Sequence, residues 1–326
     1  MKKLLIILFI IQIINLVYSL EPQISGNLQF KIDNDENIKI RFRPECEISQ
    51  DISSKFSLDF DYIHNLEFKT LLSENSSQLS NHTYRAWLRF TSDKFTLRIG
   101  RQKINFGVAK LLRTLRWFDT IDPTDPQKES VGVDALISNY FFSGNQNILF
   151  WVIDSSKGAI KGNESVASSD NLEPGFRFQF PWRNAEIGFN SHHRKSVTDD
   201  KINKYAADIF LDYYLGMWSE ISYNDFSESC TYTFGSDYTI SFLKGIHILA
   251  EYQKINERDN WAYSVDLPIS IFDQISFIYF ISEDINNLNV NWVRSYDDFS
   301  GYVFYTFNKF NAKEENIIGI NISYNF

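Results

Sequence analysis

Charged residues in this chain often stand at every second position, between apolar ones. Lys39, Arg41 and Arg43 alternate with isoleucine and phenylalanine, and Asp59 and Asp61 alternate with leucine, phenylalanine and tyrosine. Successive side chains of a β-strand point to opposite faces, so each run has one charged face and one apolar face. A charged face can attract and guide ions without any bond-making group.

The same alternation recurs further along the chain. The residues that it assigns to the charged face are Lys39, Arg41, Arg43, Asp59, Asp61, Arg85, Arg89, Arg98 and Arg101. Tyr84 falls on the apolar face, and a bulge at Gly100 would bring Arg98 and Arg101 to one side. The bases outnumber the acids, so some positive charge is expected to remain. The alternative use of Asp59 and Asp61 is in cross-strand salt bridges.

The sequence contains no pattern of residues that is typical of catalysis. There is no nucleophile motif, and the five histidines are scattered without metal-ligand spacing. We therefore expect no enzymatic activity, no cofactor and no metal site. Cys46 and Cys230 fall on distant predicted strands, so we expect no disulfide. A net charge of −9 argues against nucleic-acid binding.

The elements that position these residues are short alternating runs along the whole chain. We predict strands at 25–32, 37–48, 54–68, 82–92, 95–106, 131–142, 147–154, 174–181, 185–193, 204–214, 216–224, 230–242, 246–254, 260–268, 273–282, 288–294, 298–308 and 316–326. That makes eighteen, or sixteen if a pair were wrongly divided. An aromatic content of 16% also favours strands. The prediction is an all-β, closed antiparallel transmembrane barrel.

Short and long connections alternate along the predicted strands. Tight turns follow even-numbered strands, whereas the longer connections, 69–81, 107–130, 155–173 and 194–203, follow odd-numbered ones. Membrane barrels have short periplasmic turns and longer outer loops, so both termini are predicted to be periplasmic. Charge on the lipid side would cost a few kcal/mol per group near the midplane, so the charged face must enclose water.

One long connection, 107–130, is predicted to fold inward and narrow the lumen. Trp117 and Phe118 make the loop too apolar to be disordered by composition. Long loops without regular structure are usually functional. Its charged residues, which would form a constriction, are Lys110, Arg113, Arg116, Asp119, Asp122 and Asp125. We expect its acids to face a basic wall formed by Arg41, Arg43, Arg85, Arg89 and Arg98. Turn formation is the alternative role of Asp122 and Asp125.

The two ends of the chain indicate export and insertion. Residues 1–19 combine a basic start, an apolar run and a small-residue cleavage pattern, which predicts a secretory signal peptide before a barrel at 20–326. The last strand alternates large apolar residues up to Tyr324 and Phe326. It resembles the closing strand of Gram-negative outer-membrane barrels, in which the terminal aromatic is read by the barrel-assembly machinery.

A longer stretch carries a second resemblance. Residues 84–90 read YRAWLRF, residues 97–107 read LRIGRQKINFG, residues 119–126 read DTIDPTDP, and residues 132–135 read GVDA. This text resembles porin-like barrels related to the alginate-export family, over about 82–142. Phe106 stands where that family often has tryptophan. The resemblance implies a bacterial outer-membrane barrel, and it says little about the solute.

These observations lead to one hypothesis with two alternatives. The first is passive diffusion of small hydrophilic solutes through an outer-membrane channel with a weak anion preference. The alternatives are an export or uptake channel for an anionic polysaccharide or similar polymer, and a structural or adhesive surface barrel. The implied partners are outer-membrane lipid, the assembly machinery and the solutes, with no nucleic acid. The oligomeric state stays open.

Overall fold

The chain folds into one closed β-barrel. The computed structural model describes residues 21–35, 37–72, 76–118, 121–127, 130, 132–154, 172–195, 201–242, 244–310 and 313–326. The predicted signal peptide at 1–19 lies outside the described residues. All eighteen predicted strands are present in one sheet, so the prediction of eighteen strands is confirmed and the alternative of sixteen is wrong.

The strands follow one another around the barrel in chain order. They are β1 Gln23–Asp33, β2 Asn37–Ser53, β3 Phe56–Leu71, β4 Ser76–Ser92, β5 Phe95–Gln102, β6 Val133–Phe141, β7 Asn147–Asp154, β8 Leu172–Trp182, β9 Ala185–Lys195, β10 Lys201–Asp212, β11 Gly216–Asn224, β12 Ser229–Ile240, β13 Ile246–Ile255, β14 Arg258–Pro268, β15 Asp273–Ile281, β16 Ile285–Tyr296, β17 Phe299–Phe310 and β18 Lys313–Asn325. Each pairs antiparallel with its neighbours in sequence.

The barrel closes between its first and last strands. β1 pairs with β18, with Leu28 opposite Tyr324. Gly26 and Phe326 exchange backbone hydrogen bonds of 3.0 and 3.1 Å. The Phe326 ring covers Gly26 and stacks on Phe42 with its centroid 5.9 Å away. Closure satisfies the edge strands, as hydrocarbon requires. The predicted role of Tyr324 and Phe326 in assembly stays a prediction.

The two faces of the wall differ as the alternation predicts. Large apolar side chains such as Phe30, Ile40, Phe60 and Leu88 are exposed on the outward face. Such a belt is the surface that a membrane barrel presents to lipid. Polar residues dominate the buried positions of the inward face. Within the residues described, no helix is long and apolar enough to cross a membrane.

Strand lengths differ around the barrel. β2, β3 and β4 have 17, 16 and 17 residues, whereas β5 and β7 have 8 each. The predicted connection 69–81 is wrong, because most of it continues β3 and β4, with Lys69 opposite Gln78. Its serine-rich composition is typical of a loop, but cross-strand pairing satisfies the backbone. The connection at 155–173 falls mostly outside the described residues, and so does half of that at 194–203; β8, β9 and β10 reach into them.

A bulge in β4 changes the face of one aromatic residue. Ile63 pairs with Arg85 and the next residue, His64, pairs with Thr83, so Tyr84 has no opposite partner on β3. The extra residue turns into the lumen, where Tyr84 is only 5% exposed. The prediction that Tyr84 lies on the apolar outward face is therefore wrong. The bulge places Tyr84 beside the inward arginines.

Candidate functional site

The inward face of β2 to β5 carries basic side chains stacked on two aromatic rings. We call this group the basic–aromatic cluster. It consists of Arg43, Tyr84, Arg85, Trp87, Arg89 and Arg98 of these strands and of Lys103, which follows β5. The Arg43 guanidinium lies 4.1 Å from the centre of the Tyr84 ring, and that of Arg98 lies 4.8 Å from the Trp87 ring. Aromatic faces attract cations, so the rings hold the guanidinium groups at the wall without neutralising their charge.

Part of this wall forms the salt bridges that were the alternative reading. Arg89 Nε lies 3.0 Å from Asp59 Oδ2, so that alternative is confirmed for Asp59. Glu67 pairs with Lys39 at 3.1 Å and with Arg41 at 3.0 Å. These pairs bind neighbouring strands together and cancel charge locally.

The numbers of acidic and basic residues on this wall are more nearly equal than the sequence predicted. The same inward face also carries Glu45, Glu47 and Glu67, against one further base, Lys69. The signal was available, since the alternation of β2 continues past Pro44 and that of β3 past Asp61. The predicted excess of positive charge is therefore smaller, and it is concentrated around Tyr84 and Trp87.

Arg101 departs from its predicted place. Its guanidinium lies 2.7 Å from the carboxylate of Asp134. The two residues are opposite each other, two positions along from Ile99 and Leu136, which are exposed on the outward face. Gly100 has a φ of +118°, but the register of β5 runs through it without a shift. Since no bulge forms between β5 and its neighbours, Arg98 and Arg101 lie on different faces.

The connection predicted at 107–130 folds into the barrel as predicted, as far as its residues are described. β5 ends at Gln102, earlier than predicted, and Phe106 turns inward. Its ring packs against those of Trp117 and Phe118, with centroids 5.5 and 5.9 Å away, and against Trp151 of β7 at 5.4 Å. This apolar cluster packs the loop against the barrel wall at two places, around Phe106 and around Trp117 and Phe118.

A row of buried polar side chains, joined by one hydrogen bond and two ion-pair contacts, supports the apolar cluster. Trp151 Nε1 donates to His192 Nδ1 at 3.3 Å, which leaves the proton of a neutral imidazole on Nε2. That nitrogen lies 3.2 Å from Glu173 Oε2, and Arg194 Nε lies 3.3 Å from the other carboxylate oxygen. His192 is therefore engaged in holding the wall beneath the loop.

The centre of the loop is fixed by a buried glutamate of β11. The Glu220 side chain accepts backbone hydrogen bonds from Val108 at 2.6 Å, Ala109 at 2.8 Å and Leu115 at 3.0 Å. Glu220 is 1% exposed. A buried carboxylate is tolerated only where hydrogen bonds replace its water, and here the loop backbone supplies them.

A second glutamate, on β13, continues this arrangement. Glu251 accepts hydrogen bonds from the backbone N–H of Lys110 at 2.6 Å and of Leu111 at 2.9 Å, and a further one from Leu112. The indole of Trp218 donates to the same carboxylate at 2.9 Å. We call Glu220 and Glu251 the carboxylate latch. Alternation places both on the inward face, but nothing in the sequence indicates that a loop more than a hundred residues away binds them.

The loop also reaches the rest of the wall. The hydroxyls of Thr114 and Thr233 lie 2.8 Å apart. Gln29 donates to Gln127 at 2.7 Å, and Asn291 to the Thr124 carbonyl at 3.2 Å. Ser130 donates to the Tyr84 hydroxyl at 3.2 Å. The loop is therefore anchored on β1, β4, β12 and β16 as well as on the latch strands, and it narrows the lumen from several sides.

The acidic residues predicted to line the constriction have different contacts in the structure. Asp122 accepts a backbone hydrogen bond from Thr124, the turn role that was its alternative. Asp125 lies 3.5 Å from the Tyr302 hydroxyl of β17. Asp119 lies outside the described residues. Asp122 and Asp125 thus contact the loop itself, and Asp125 also contacts β17. That these acids face the basic wall stays a prediction.

The loop separates two polar chambers, which differ in charge. At the end of the barrel with the connections after odd-numbered strands, a cavity of about 390 Å³ includes Arg113, Arg116 and Lys204. At the other end, which we call the turn end, a cavity of about 430 Å³ includes Asp125, Asp237, His247 and Asp266. Lys110, which extends over the Trp218 ring at 5.7 Å, also lines the second chamber.

The comparisons with known proteins concern the fold. No family model matches the sequence, and no curated protein matches it. A BenF-like porin from Pseudomonas fluorescens Pf-5 has a TM-score of 0.70 at 8% identity, covering 95% of this chain and 99% of that one. The outer membrane protein OprD from Pseudomonas aeruginosa has a TM-score of 0.67 at 9% identity, covering 94% of each chain.

A third solved structure, OccK3 (OpdO) from Pseudomonas aeruginosa, has a TM-score of 0.66 at 10% identity, covering 95% of this chain and 96% of that one. The relation to the alginate-export family stays a prediction. With eighteen strands in one closed antiparallel sheet and near-complete coverage of each of these structures, the chain has the fold of outer-membrane porins.

Proposed function

We propose that this barrel is a channel of the bacterial outer membrane through which small hydrophilic solutes diffuse, with a weak preference for anions. The observation that carries the proposal is the basic–aromatic cluster on the inward face of a lumen that an anchored loop narrows. A closed wall with an apolar outer belt and a charged interior encloses water, and charged walls select solutes by sign. The porins of similar fold support the channel, not its selectivity.

The anion preference depends on a few arginines. Arg85 and Arg98 form no ion pair among the described residues, and each lies over an aromatic ring, at 5.5 Å and 4.8 Å. A guanidinium on a ring keeps its full charge. The acids of the same wall and of the turn-end chamber oppose this charge, which is why the expected preference is weak.

Reversal potentials in planar bilayers under a salt gradient test the proposal. We expect the wild-type channel to conduct with a small potential of anion-selective sign. The double variant Arg85→Gln/Arg98→Gln removes two lumenal charges and is expected to move that potential towards cation selectivity. Arg101→Gln is the matched control, because it removes one arginine from the outward face, and it is expected to leave the potential unchanged.

Two results would contradict the proposal. A folded barrel that carries no current would exclude a diffusion channel and favour the structural or adhesive alternative. A conducting barrel whose reversal potential is the same in the wild type and in the double variant would show that the basic–aromatic cluster does not set selectivity.

A further inference from the structure

The outward face of β16, β17 and β18 carries a groove near the turn end. Its volume is about 540 Å³, which lies within the roughly 300–1,000 Å³ range of small-molecule sites. Its apolar lining includes Trp292, Val303, Ile320 and Ile322, and Tyr296 and Phe299 flank the turn between β16 and β17. These residues belong to the outward belt, so the groove opens to the surroundings of the barrel and not to the lumen.

A glycine, Gly301, lies among the residues that line the groove. Gly301 lies opposite Arg294 on β16 and Ile322 on β18. Its φ is not in the left-handed region. A Cβ at this position would meet only the Asn321 carbonyl at 3.2 Å and Ile322 Cγ1 at 4.0 Å. The backbone conformation therefore does not require glycine here, and the tight contact with the Asn321 carbonyl is the one steric demand on a larger side chain, although glycine weakens a strand.

Four other strand glycines of the barrel are covered by an aromatic ring. At Gly26, Gly175, Gly235 and Gly319, the position of a Cβ lies 2.4, 2.3, 2.4 and 2.3 Å from an atom of a phenylalanine or tryptophan ring. The protein fills each of these gaps with an aromatic side chain, a known way to stabilise strand glycines. At Gly301 no side chain does so, and the gap stays open on the lipid side.

Arg294 lines the groove, and acidic residues lie next to it in the fold or in the chain. The Arg294 side chain is 61% exposed, and its nearest carboxylate oxygen, Asp273 Oδ1, is 3.8 Å away. Asp297 and Asp298 form the turn between Tyr296 and Phe299. A guanidinium suits a phosphate, and carboxylates suit an ammonium group. A headgroup that has both groups would suit Arg294 together with a turn that carries two acidic residues.

We propose that this groove binds one zwitterionic phospholipid with a primary amine, of the phosphatidylethanolamine type. One acyl chain lies over Gly301 between Trp292 and Ile322, the phosphate meets Arg294, and the ammonium meets the turn carboxylates. The site rests on the place of the barrel in a membrane, proposed above, but it is independent of conduction and selectivity. A gap one side chain wide suits an acyl chain better than a protein surface.

Native mass spectrometry of the purified full chain tests this site. The barrel is delipidated in detergent and titrated with phosphatidylethanolamine or phosphatidylglycerol. We expect one phosphatidylethanolamine per barrel to be retained, with weaker retention of phosphatidylglycerol. Gly301→Leu fills the groove and is expected to weaken the binding of phosphatidylethanolamine by about tenfold, since each displaced methylene contact contributes to affinity. Arg294→Gln is expected to weaken it less.

Ser138→Leu is the matched control, because it adds the same side chain to the outward face of β6, and heat-modifiable mobility on gels verifies folding of each variant. Equal lipid retention by Gly301→Leu, Ser138→Leu and the wild type would overturn the proposal. A barrel dimer that Gly301→Leu abolishes would also overturn it, because the occupant would then be a second copy. Equal retention of both lipids would overturn the assignment of the headgroup. A failed lipid site would leave the conductance results unaffected.

Discussion

The two sides of the lumen use inward charges in opposite ways. On β2 to β5, Arg85 and Arg98 lie over the rings of Tyr84 and Trp87 and keep their charge facing the lumen. On β11 and β13, the carboxylates of Glu220 and Glu251 are buried under the loop and surrounded by N–H donors. Both sets stand at alternate positions of a strand, so the alternation alone does not distinguish them.

The difference lies in what each group contacts. An aromatic face adds about 0.5–1 kcal/mol to an exposed cation and leaves its field intact. Hydrogen bonds to a charged acceptor contribute about 1.5–3 kcal/mol each, and they spread the charge into the backbone dipoles that bind it. One side of the lumen is therefore suited to act on passing solutes. The other is suited to hold the constriction in place.

The largest effect is expected from breaking the carboxylate latch. In Glu220→Gln/Glu251→Gln, each amide places an NH₂ group where a carboxylate oxygen now accepts backbone N–H groups. Leaving a buried donor unpaired costs about 1–3 kcal/mol, and several are affected. The loop should detach, and the single-channel conductance should at least double. Glu45→Gln/Glu47→Gln, on the opposite wall, is the control. An unchanged conductance in the latch variant would show that the loop is held by its aromatic contacts instead.

A smaller effect, on the reversal potential, is expected from neutralising acids of the chamber at the turn end. Neutralising Asp237 and Asp266 as Asp237→Asn/Asp266→Asn removes negative charge on both sides of His247, which lies 3.2 and 3.6 Å from these carboxylates. The reversal potential should move towards anion selectivity, opposite to the shift of the Arg85 and Arg98 variant. Asp259→Asn, near the other end of β14, serves as the control. A shift of the same sign in both double variants would contradict separate basic and acidic zones.

Removing an aromatic ring beneath the arginines should change the reversal potential less than removing the arginine charges does. Trp87→Leu removes the ring under Arg89 and Arg98, whose guanidinium groups lie 5.3 and 4.8 Å from it. The charges remain, so the reversal potential should move in the direction of the arginine variant but by a smaller amount. Trp182→Leu, at the turn end of β8, controls for loss of an indole. A shift larger than that of the arginine variant would mean that the ring itself forms the selective surface.

The smallest effect is expected from the threonine beside the latch. Thr233→Val removes the hydroxyl that contacts Thr114 at 2.8 Å and the Leu112 carbonyl at 2.7 Å. One or two neutral hydrogen bonds are worth about 1 kcal/mol each, so the loop should stay closed on average. Single-channel recordings should show brief openings to the conductance of the latch variant. Thr306→Val, on β17, is the control, and identical noise in the two variants would contradict a role for Thr233 in docking.

Alternation predicted most of what lies on each face of the wall. It predicted that Arg41, Arg85 and Arg98 are inward, because a strand in a barrel cannot change faces without a bulge. It failed for Tyr84 and Arg101 for the same reason. The bulge lies at Tyr84 in β4 and not at Gly100 in β5. Glycine marks a place where the backbone can be unusual, but only pairing with the neighbouring strands decides where a residue is inserted.

The sequence by itself determined the strand number, the closure of the barrel and the inward fold of one loop. These depend on local alternation, turn positions and composition, which are written along the chain. Only the tertiary structure decided that Glu220 and Glu251 hold the loop, and that no side chain fills the gap at Gly301. Such contacts join residues far apart in the chain. They depend on the register of many strands at once, which no local pattern encodes.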